Sequence, residues 1–264
     1  MFFKLLIALW KRPVITRICF DGIKRLQKTI PIEPICIYSE DDSKSLCKEY
    51  GFEAYEYKND PLGEKLNFGL ERALESEWDY LLQIGSDDLL SEKLFEMYDP
   101  FIAKSSRAFG LSTMYFYDIR TKESYFESIS NIFGCGRMIH RGTFDTNRAK
   151  FRYGHTYSGT DTVKKKGQVI TIPEYWANRL VKRGIGDILE LTKEPFKLWG
   201  DSKNSGLDFD SQFRLDCIGV TTERIRTNEV LAVDIKSEFN LHDVSEYEKS
   251  DVDVKQFFPE LNDW

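Results

Sequence analysis

The feature that most constrains this chain is a short apolar run that stops on two acids. In Trp78-Asp79-Tyr80-Leu81-Leu82-Gln83-Ile84-Gly85-Ser86-Asp87-Asp88-Leu89-Leu90 there is almost no polar alternation between Tyr80 and Ile84. A strand of that kind needs cover on both faces, which places it inside a parallel sheet flanked by helices. Gly85 and Ser86 then interrupt it and leave Asp87 and Asp88 where such a sheet opens into a loop. In open α/β sheets that carboxyl edge is where ligands bind. Neighbouring carboxylates beside small residues suit a hard divalent cation, which takes oxygen ligands and shares its shell with substrate phosphates. The same residues also suit a helix N-cap ahead of Leu89-Leu90-Ser91-Glu92, where a Ser or Asp satisfies free backbone N–H groups.

The residues before the acids alternate strand and helix. The apolar start, residues 2–10, reads as a first strand; it is too short for a signal peptide, lacks a cleavage site and is interrupted by Lys11-Arg12-Pro13. Pro13 opens a helix with Ile15, Ile18, Cys19, Gly22, Ile23 and Leu26 on one stripe. Strands follow at 35–38 and 52–57, with a helix at 43–50, ended by Gly51, between them. A helix at 64–76 carries Leu66, Leu70, Ala73 and Leu74 on one face. The pattern β-α-β-α-β-α-β predicts a nucleotide-binding half.

The second half is less regular. Residues 108–117 and 124–128 predict a hairpin around Arg120-Thr121-Lys122-Glu123. Gly134, Gly136 and Gly142 bracket Cys135 and Arg137-Met138-Ile139-His140-Arg141. Helices are expected from Pro173 to Arg183 and from Asp208 or Phe209 to about Ile218, and the acidic tail from Ser245 packs as a last helix or lies loose. The expected organisation is one domain: a nucleotide-binding half (1–100), an acceptor half (101–240) and an acidic tail (241–264).

With 264 residues, 41% hydrophobic and 14% aromatic, the chain can bury a full core. Its net charge of −6 speaks against stable nucleic-acid binding, although residues 137–183 hold 11 Lys/Arg against three acids. That basic stretch attracts a phosphorylated ligand or is a solvated face. Cys19, Cys36, Cys47, Cys135 and Cys217 are scattered and odd in number, which predicts thiols in a reducing compartment rather than a zinc site. No stretch approaches the ~20 apolar residues that span a membrane, so a cytoplasmic protein is expected.

One order of motifs runs through the chain: a strand, Lys11-Arg12-Pro13, a helix, Pro61-Leu62-Gly63-Glu64-Lys65-Leu66-Asn67-Phe68-Gly69-Leu70, then Ile84-Gly85-Ser86-Asp87-Asp88. With Phe133-Gly134-Cys135-Gly136-Arg137-Met138-Ile139-His140-Arg141 and Gly206-Leu207-Asp208-Phe209-Asp210-Ser211 downstream, it resembles a GT-A glycosyltransferase of the family 2 type, most closely up to about residue 145. The resemblance implies an α/β fold: a GT-A (Rossmann-like) nucleotide-sugar-binding sheet with helices on both faces and an irregular C-terminal acceptor half. It also implies a D-x-D motif that holds Mn²⁺ or Mg²⁺ on the donor diphosphate. Gly85, Ser86 and Asp87 align with that motif. The first aspartate is therefore missing, Asp87 takes the metal-binding position, and Asp88 is its neighbour.

Further residues follow from the same resemblance. Lys65 and Asn67 match a stretch lining the nucleotide pocket; Lys65 pairs with Asp87 or a phosphate, or is an exposed lysine in a first helical turn. Leu9, Trp10 and Arg12 match the first-strand loop that borders the base, Trp10 being also a natural core residue. Ser86, Arg137 and His140 are candidate donor contacts, Arg137 and Arg141 alternatively making helix-flanking salt bridges. His242 stands where several such enzymes carry a metal-binding histidine, and otherwise reads as a surface residue. His155 has no assigned role. A direct displacement needs a carboxylate base; Asp208 is the candidate, with Asp210 in reserve, Asp208 also suiting a cap of the following helix. Trp199-Gly200-Asp201-Ser202-Lys203-Asn204-Ser205-Gly206 is expected to be a mobile acceptor loop.

The implied activity is metal-dependent transfer of a sugar from a nucleoside diphosphate, a UDP-sugar foremost, to a hydroxyl acceptor with inversion. That acceptor is a glycan, a lipid-linked saccharide or a modified macromolecule. A sugar-phosphate nucleotidyltransferase is the second class, against which the glycine-free Trp10-Lys11-Arg12-Pro13 counts, because triphosphate cradles use glycine. A catalytically inactive GT-A scaffold is the third, supported by the missing first aspartate.

Overall fold

Apolar runs too short for helices but unbroken by polar residues become the central strands of a parallel sheet. The computed structural model describes residues 1–144, 162–165, 168–171, 197–217, 220–238, 244 and 247–264. In chain order, β1 (Phe3–Ala8), α1 (Pro13–Leu26), β2 (Ile32–Tyr38), α2 (Asp41–Tyr50), β3 (Glu53–Glu56), α3 (Leu62–Leu74) and β4 (Tyr80–Ile84) build the first half. They are followed by β5 (Asp88–Leu90), α4 (Glu92–Ala103), β6 (Ala108–Leu111), β7 (Thr113–Asp118), β8 (Glu123–Ser128) and β9 (Arg137–His140). Then come the hairpin β10 (Thr162–Lys165) and β11 (Gln168–Thr171), α5 (Leu207–Cys217), β12 (Thr222–Ile225), β13 (Ala232–Lys236) and β14 (Glu248–Ser250).

The main sheet has the order β12-β6-β9-β4-β1-β2-β3, with β4, β1, β2 and β3 parallel and β9 antiparallel to both its neighbours. Successive residues of β1 serve opposite faces. Leu5 and Ile7 join Cys19, Phe20 and Ile23 of α1, whereas Leu6 joins Leu66, Leu70 and Ala73 of α3. Both faces are covered, as the apolar runs require.

A second sheet, β14-β8-β7-β13-β5, begins where the first strand set ends. Gly85, Ser86 and Asp87 carry the chain from β4 in one sheet to β5 in the other. This corrects the helix-cap reading of the two acids: Asp88 starts a short strand, and Ser91 caps α4, its Oγ accepting from the Lys93 N–H at 3.2 Å. The expected hairpin forms as antiparallel β7 and β8. The expected helix from Pro173 to Arg183 lies outside the described residues. The tail forms β14 and two 3-10 turns, whose Val254, Phe258 and Leu261 are buried against Ile15 and Ile18 of α1. Cys19, Cys36, Cys47 and Cys135 are buried free thiols.

Candidate functional site

Antiparallel pairing of β13 with β5 sets Asp234 opposite Asp88 and brings a third acid to the pair. Asp87, Asp88 and Asp234 each offer one carboxylate oxygen, all within 4.8 Å of one another. Asp88 folds back, Oδ2 accepting from the Gly85 N–H at 2.5 Å. A Cβ at position 85 would lie 2.6 Å from Asp87 Oδ1 and 3.1 Å from Asp88 Oδ2, so glycine is what lets both carboxylates turn inward.

Two cations stand among the acids. Arg12 lies 2.6 Å from Asp87 Oδ2 and donates to Ser86 Oγ at 3.1 Å. Lys236 lies 2.7 Å from Asp234 Oδ2, while Asp234 Oδ1 has no hydrogen-bond partner among the described residues. Burial, followed by the charges of Asp234 and Asp87, pushes the Asp88 carboxyl well up. Burial also raises Asp234 to about 7, against the pull of Lys236. Burial acts to lower Lys236, but the facing Asp234 and Asp87 outweigh it and raise the ammonium. Cys135 is raised by its own burial and by Asp88, to which it hydrogen-bonds. Three convergent acid oxygens fit a hard divalent cation. Sequence reasoning missed Asp234 and Lys236; the signal was Ala232-Val233-Asp234-Ile235-Lys236, a strand pattern with charges at alternate positions.

Asp208 sits in the first turn of α5 and is 36% exposed at its side chain. Its Oδ2 accepts from the Gly134 N–H at 2.8 Å, and its Oδ1 is 3.9 Å from Arg137. A Cβ on Gly134 would overlap Asp208 Oδ1. The next residue, Cys135, touches Asp88. Adjacent residues of one loop thus bring the candidate base and the acid cluster to the same edge.

Several other candidates are placed differently from expectation. Arg137 is fully buried; it donates to Ser211 Oγ, to Ile132 O at 3.1 Å and to Asp208 O at 3.1 Å, so it meets no phosphate and instead locks α5 onto β9. Burial lowers its guanidinium. Asp210 is also buried, accepting from the Gly200 N–H at 2.7 Å and from Arg214 Nε at 3.0 Å, which removes it as a reserve base. Lys65, neither exposed nor beside Asp87, is buried and donates to Leu9 O, to Ser39 Oγ at 2.6 Å and to Asn59 Oδ1 at 3.2 Å. Burial lowers it to about 8. Asn67 donates to Trp199 O at 2.7 Å and to Asp201 Oδ1 at 2.9 Å. Trp199 is itself buried and Asn204 Oδ1 takes the Leu62 N–H, so the expected mobile acceptor loop is anchored to α3.

His140 is at the wrong end of the sheet. It pairs with Tyr80, the first residue of β4, and so lies about 13 Å along the strand from Ile84 at ~3.3 Å per residue. There it lines a separate cleft of about 470 Å³ with Trp78, Asp79 and Arg141, and burial lowers its imidazole. Arg141 hydrogen-bonds Ser76 O and Leu74 O rather than any group of the acid edge. Trp10, which a core role would bury, is 47% exposed beside Arg12. His242 and His155 lie outside the described residues.

No family model and no curated protein matches this sequence. Among solved structures, TarS of S. aureus superposes with a TM-score of 0.50 over 90% of this chain and 37% of TarS, at 10% identity. Glucosyl-3-phosphoglycerate synthase from Mycobacterium tuberculosis, solved with Mn²⁺ and UDP-glucose, covers 91% of this chain and 72% of its own, at 11% identity and a TM-score of 0.44. The chain spans little more than a third of the length of TarS. The likeness to TarS carries the fold: mixed α/β, of the GT-A type, with a parallel sheet and helices on both faces.

Proposed function

We propose that this protein is a glycosyltransferase that moves a sugar from a nucleoside diphosphate to a hydroxyl acceptor. The observation that carries the reading is the acid cluster Asp87, Asp88 and Asp234, at the carboxyl edge of the sheet in a GT-A fold. Mn²⁺ or Mg²⁺ would be held by those three carboxylates, and when bound it neutralises charge on the departing diphosphate. Trp10 and Ser86, on the two loops that meet at this edge, border the donor together with Arg12 and Asp87. Lys65 and Asn67 act from within the protein. By holding Leu9 O and the residues around Trp199, they fix the loops on either side of the pocket.

Asp208 is the base in this reading. Its carboxylate takes the acceptor hydroxyl proton, and the acceptor oxygen bonds to the anomeric carbon. The bond from that carbon to the β-phosphate oxygen breaks, and its electron pair leaves with the nucleoside diphosphate. A single base on the acceptor side gives inversion. The Gly134 N–H and Arg137 hold the carboxylate in place, and the side chain remains 36% exposed. A UDP-sugar is the first donor to try, with a glycan, lipid-linked saccharide or modified macromolecule as acceptor.

A second reading, binding without turnover, is favoured by one fact: Arg12 and Lys236 already neutralise two of the three acids. Release of UDP from a panel of UDP-sugars, with Mn²⁺ or with chelator, separates the two. Slow release that chelator abolishes supports the transferase. Nucleotide binding without any release, with acceptor mixtures present, supports the scaffold.

A further inference from the structure

Arg12 lies 2.6 Å from Asp87, and the acid is only 9% exposed. The loop that delivers it is strained. Lys11 at φ 54° and Arg12 at φ 58° both hold left-handed backbone, although neither is glycine. Such residues persist where their surroundings over-determine them, and they gather at ligand clamps and switch segments. Here both ends of the loop are fixed. Leu9 is held by its N–H to Ile37 O at 2.8 Å and by Lys65 on its carbonyl, while Pro13 begins α1. The left-handed backbone is at Lys11 and Arg12, and their main chain is also tied down: the Lys11 N–H donates to Glu40 Oε1 at 2.7 Å and Arg12 O accepts from the Thr16 N–H at 2.9 Å.

Lys236 contrasts with it. Its side chain is 8% exposed, and it belongs to a strand paired on β7, with its ammonium 5.1 Å from the Phe116 ring centre. One cation of the cluster is built into a sheet, and the other rides on a strained loop. A divalent cation entering among oxygens within 4.8 Å of one another would meet the Arg12 charge at Asp87 and compete with it. A guanidinium forks onto phosphate as well as onto carboxylate, so Arg12 has a second anion to go to.

We propose that Arg12 is an exchangeable internal counter-cation: it holds Asp87 in the free protein and passes to the donor diphosphate when the divalent cation arrives. The Arg12 side chain is the moving part. The proposal rests on the donor-site reading above for the identity of that anion.

The test measures binding of Mn²⁺ alone, by the spin-resonance signal of the free ion, and then of UDP in the presence of Mn²⁺. The full chain is used as wild type, Arg12→Gln, Arg12→Lys and Asp87→Asn. Arg12→Gln is expected to bind Mn²⁺ alone about tenfold more tightly, because a like charge has left a partly solvated site. The same variant is expected to bind UDP about tenfold more weakly, having lost a charged phosphate contact. Arg12→Lys keeps the charge and stays near wild type for Mn²⁺. Unchanged or weaker Mn²⁺ binding by Arg12→Gln overturns the counter-cation role. If wild type binds Mn²⁺ and Asp87→Asn loses it while Arg12→Gln is unchanged, only the role of Arg12 falls. No Mn²⁺ binding in wild type or Arg12→Gln overturns the donor site as well. Should Arg12→Gln not fold, the Arg12 Nε–H resonance of ¹⁵N-arginine-labelled wild type, titrated with Mg²⁺, decides the matter: a shift supports exchange, and a static signal refutes it.

Discussion

The acid edge and the buried lock beneath it are built from the same residue types and work in opposite ways. In the lock, charged side chains grip main-chain atoms across elements: Lys65 on Leu9 O, Arg137 on Ile132 O and Asp208 O, Asp210 on the Gly200 N–H. At the edge, Arg12 and Lys236 grip other side chains, the carboxylates of Asp87 and Asp234. Main-chain partners cannot leave without unfolding something. Side-chain partners can be exchanged for an incoming ion. The comparison teaches that a cation near a ligand site is assigned by what it holds, since proximity is common to both groups.

Substitutions can break the comparison. The largest effect is expected at Asp208, where Asn should lower turnover by about 10²–10⁴-fold with the melting temperature nearly unchanged, the loss typical of removing a general base. Steady-state kinetics beside a melting curve checks it; an equal fall in stability would move Asp208 into the lock. Arg137→Ala should cost about 2–5 kcal/mol of stability, because it leaves a cavity and unpairs the acceptors Ile132 O, Asp208 O and Ser211 Oγ, and denaturant unfolding reads that directly. Lys65→Met should cost about 1–3 kcal/mol by leaving buried acceptors unpaired.

A smaller effect concerns pH. The Asp234 carboxyl, raised by burial from 3.8 to about 7, keeps its proton in the folded state at pH values where the unfolded chain has lost it. Its contribution to stability is therefore full below about 3.8 and is lost as the pH rises through about 7. Melting temperature followed from pH 4 to 8 should fall less steeply in Asp234→Asn than in wild type. The smallest effect is expected at His140, on the opposite end of β4: His140→Ala should leave nucleotide binding unchanged, as calorimetry would show.

Much of the fold was legible because it is written in local patterns. The stripe from Ile15 to Leu26 gave α1, and the run Tyr80-Leu81-Leu82-Gln83-Ile84 gave a strand covered on both faces. What escaped the sequence depends on pairing at a distance. His140 follows Arg137 by three positions, but β9 runs antiparallel to β4, so each step carries the chain away from the acid edge. Asp234 reaches Asp88 only through the register of β13 on β5, which no local periodicity encodes. Trp10 reads as core by composition, yet the left-handed backbone beside it turns the chain outward and leaves the indole exposed. Asp87 and Asp88 stood out because small residues isolate them at the end of an apolar strand.

The central claim is that the acid edge is a metal-dependent nucleotide site, and a thermal-shift screen tests it most directly. UDP, GDP, CDP and TDP would each be added with Mn²⁺ or with chelator, to wild type and to Asp87→Asn. The account predicts that one nucleotide stabilises the wild type by about 2.7 kcal/mol at a hundredfold excess over its dissociation constant. That shift should vanish with chelator and in Asp87→Asn, whose own melting point stays close to wild type. A shift of equal size in Asp87→Asn, or one indifferent to chelator, would contradict it.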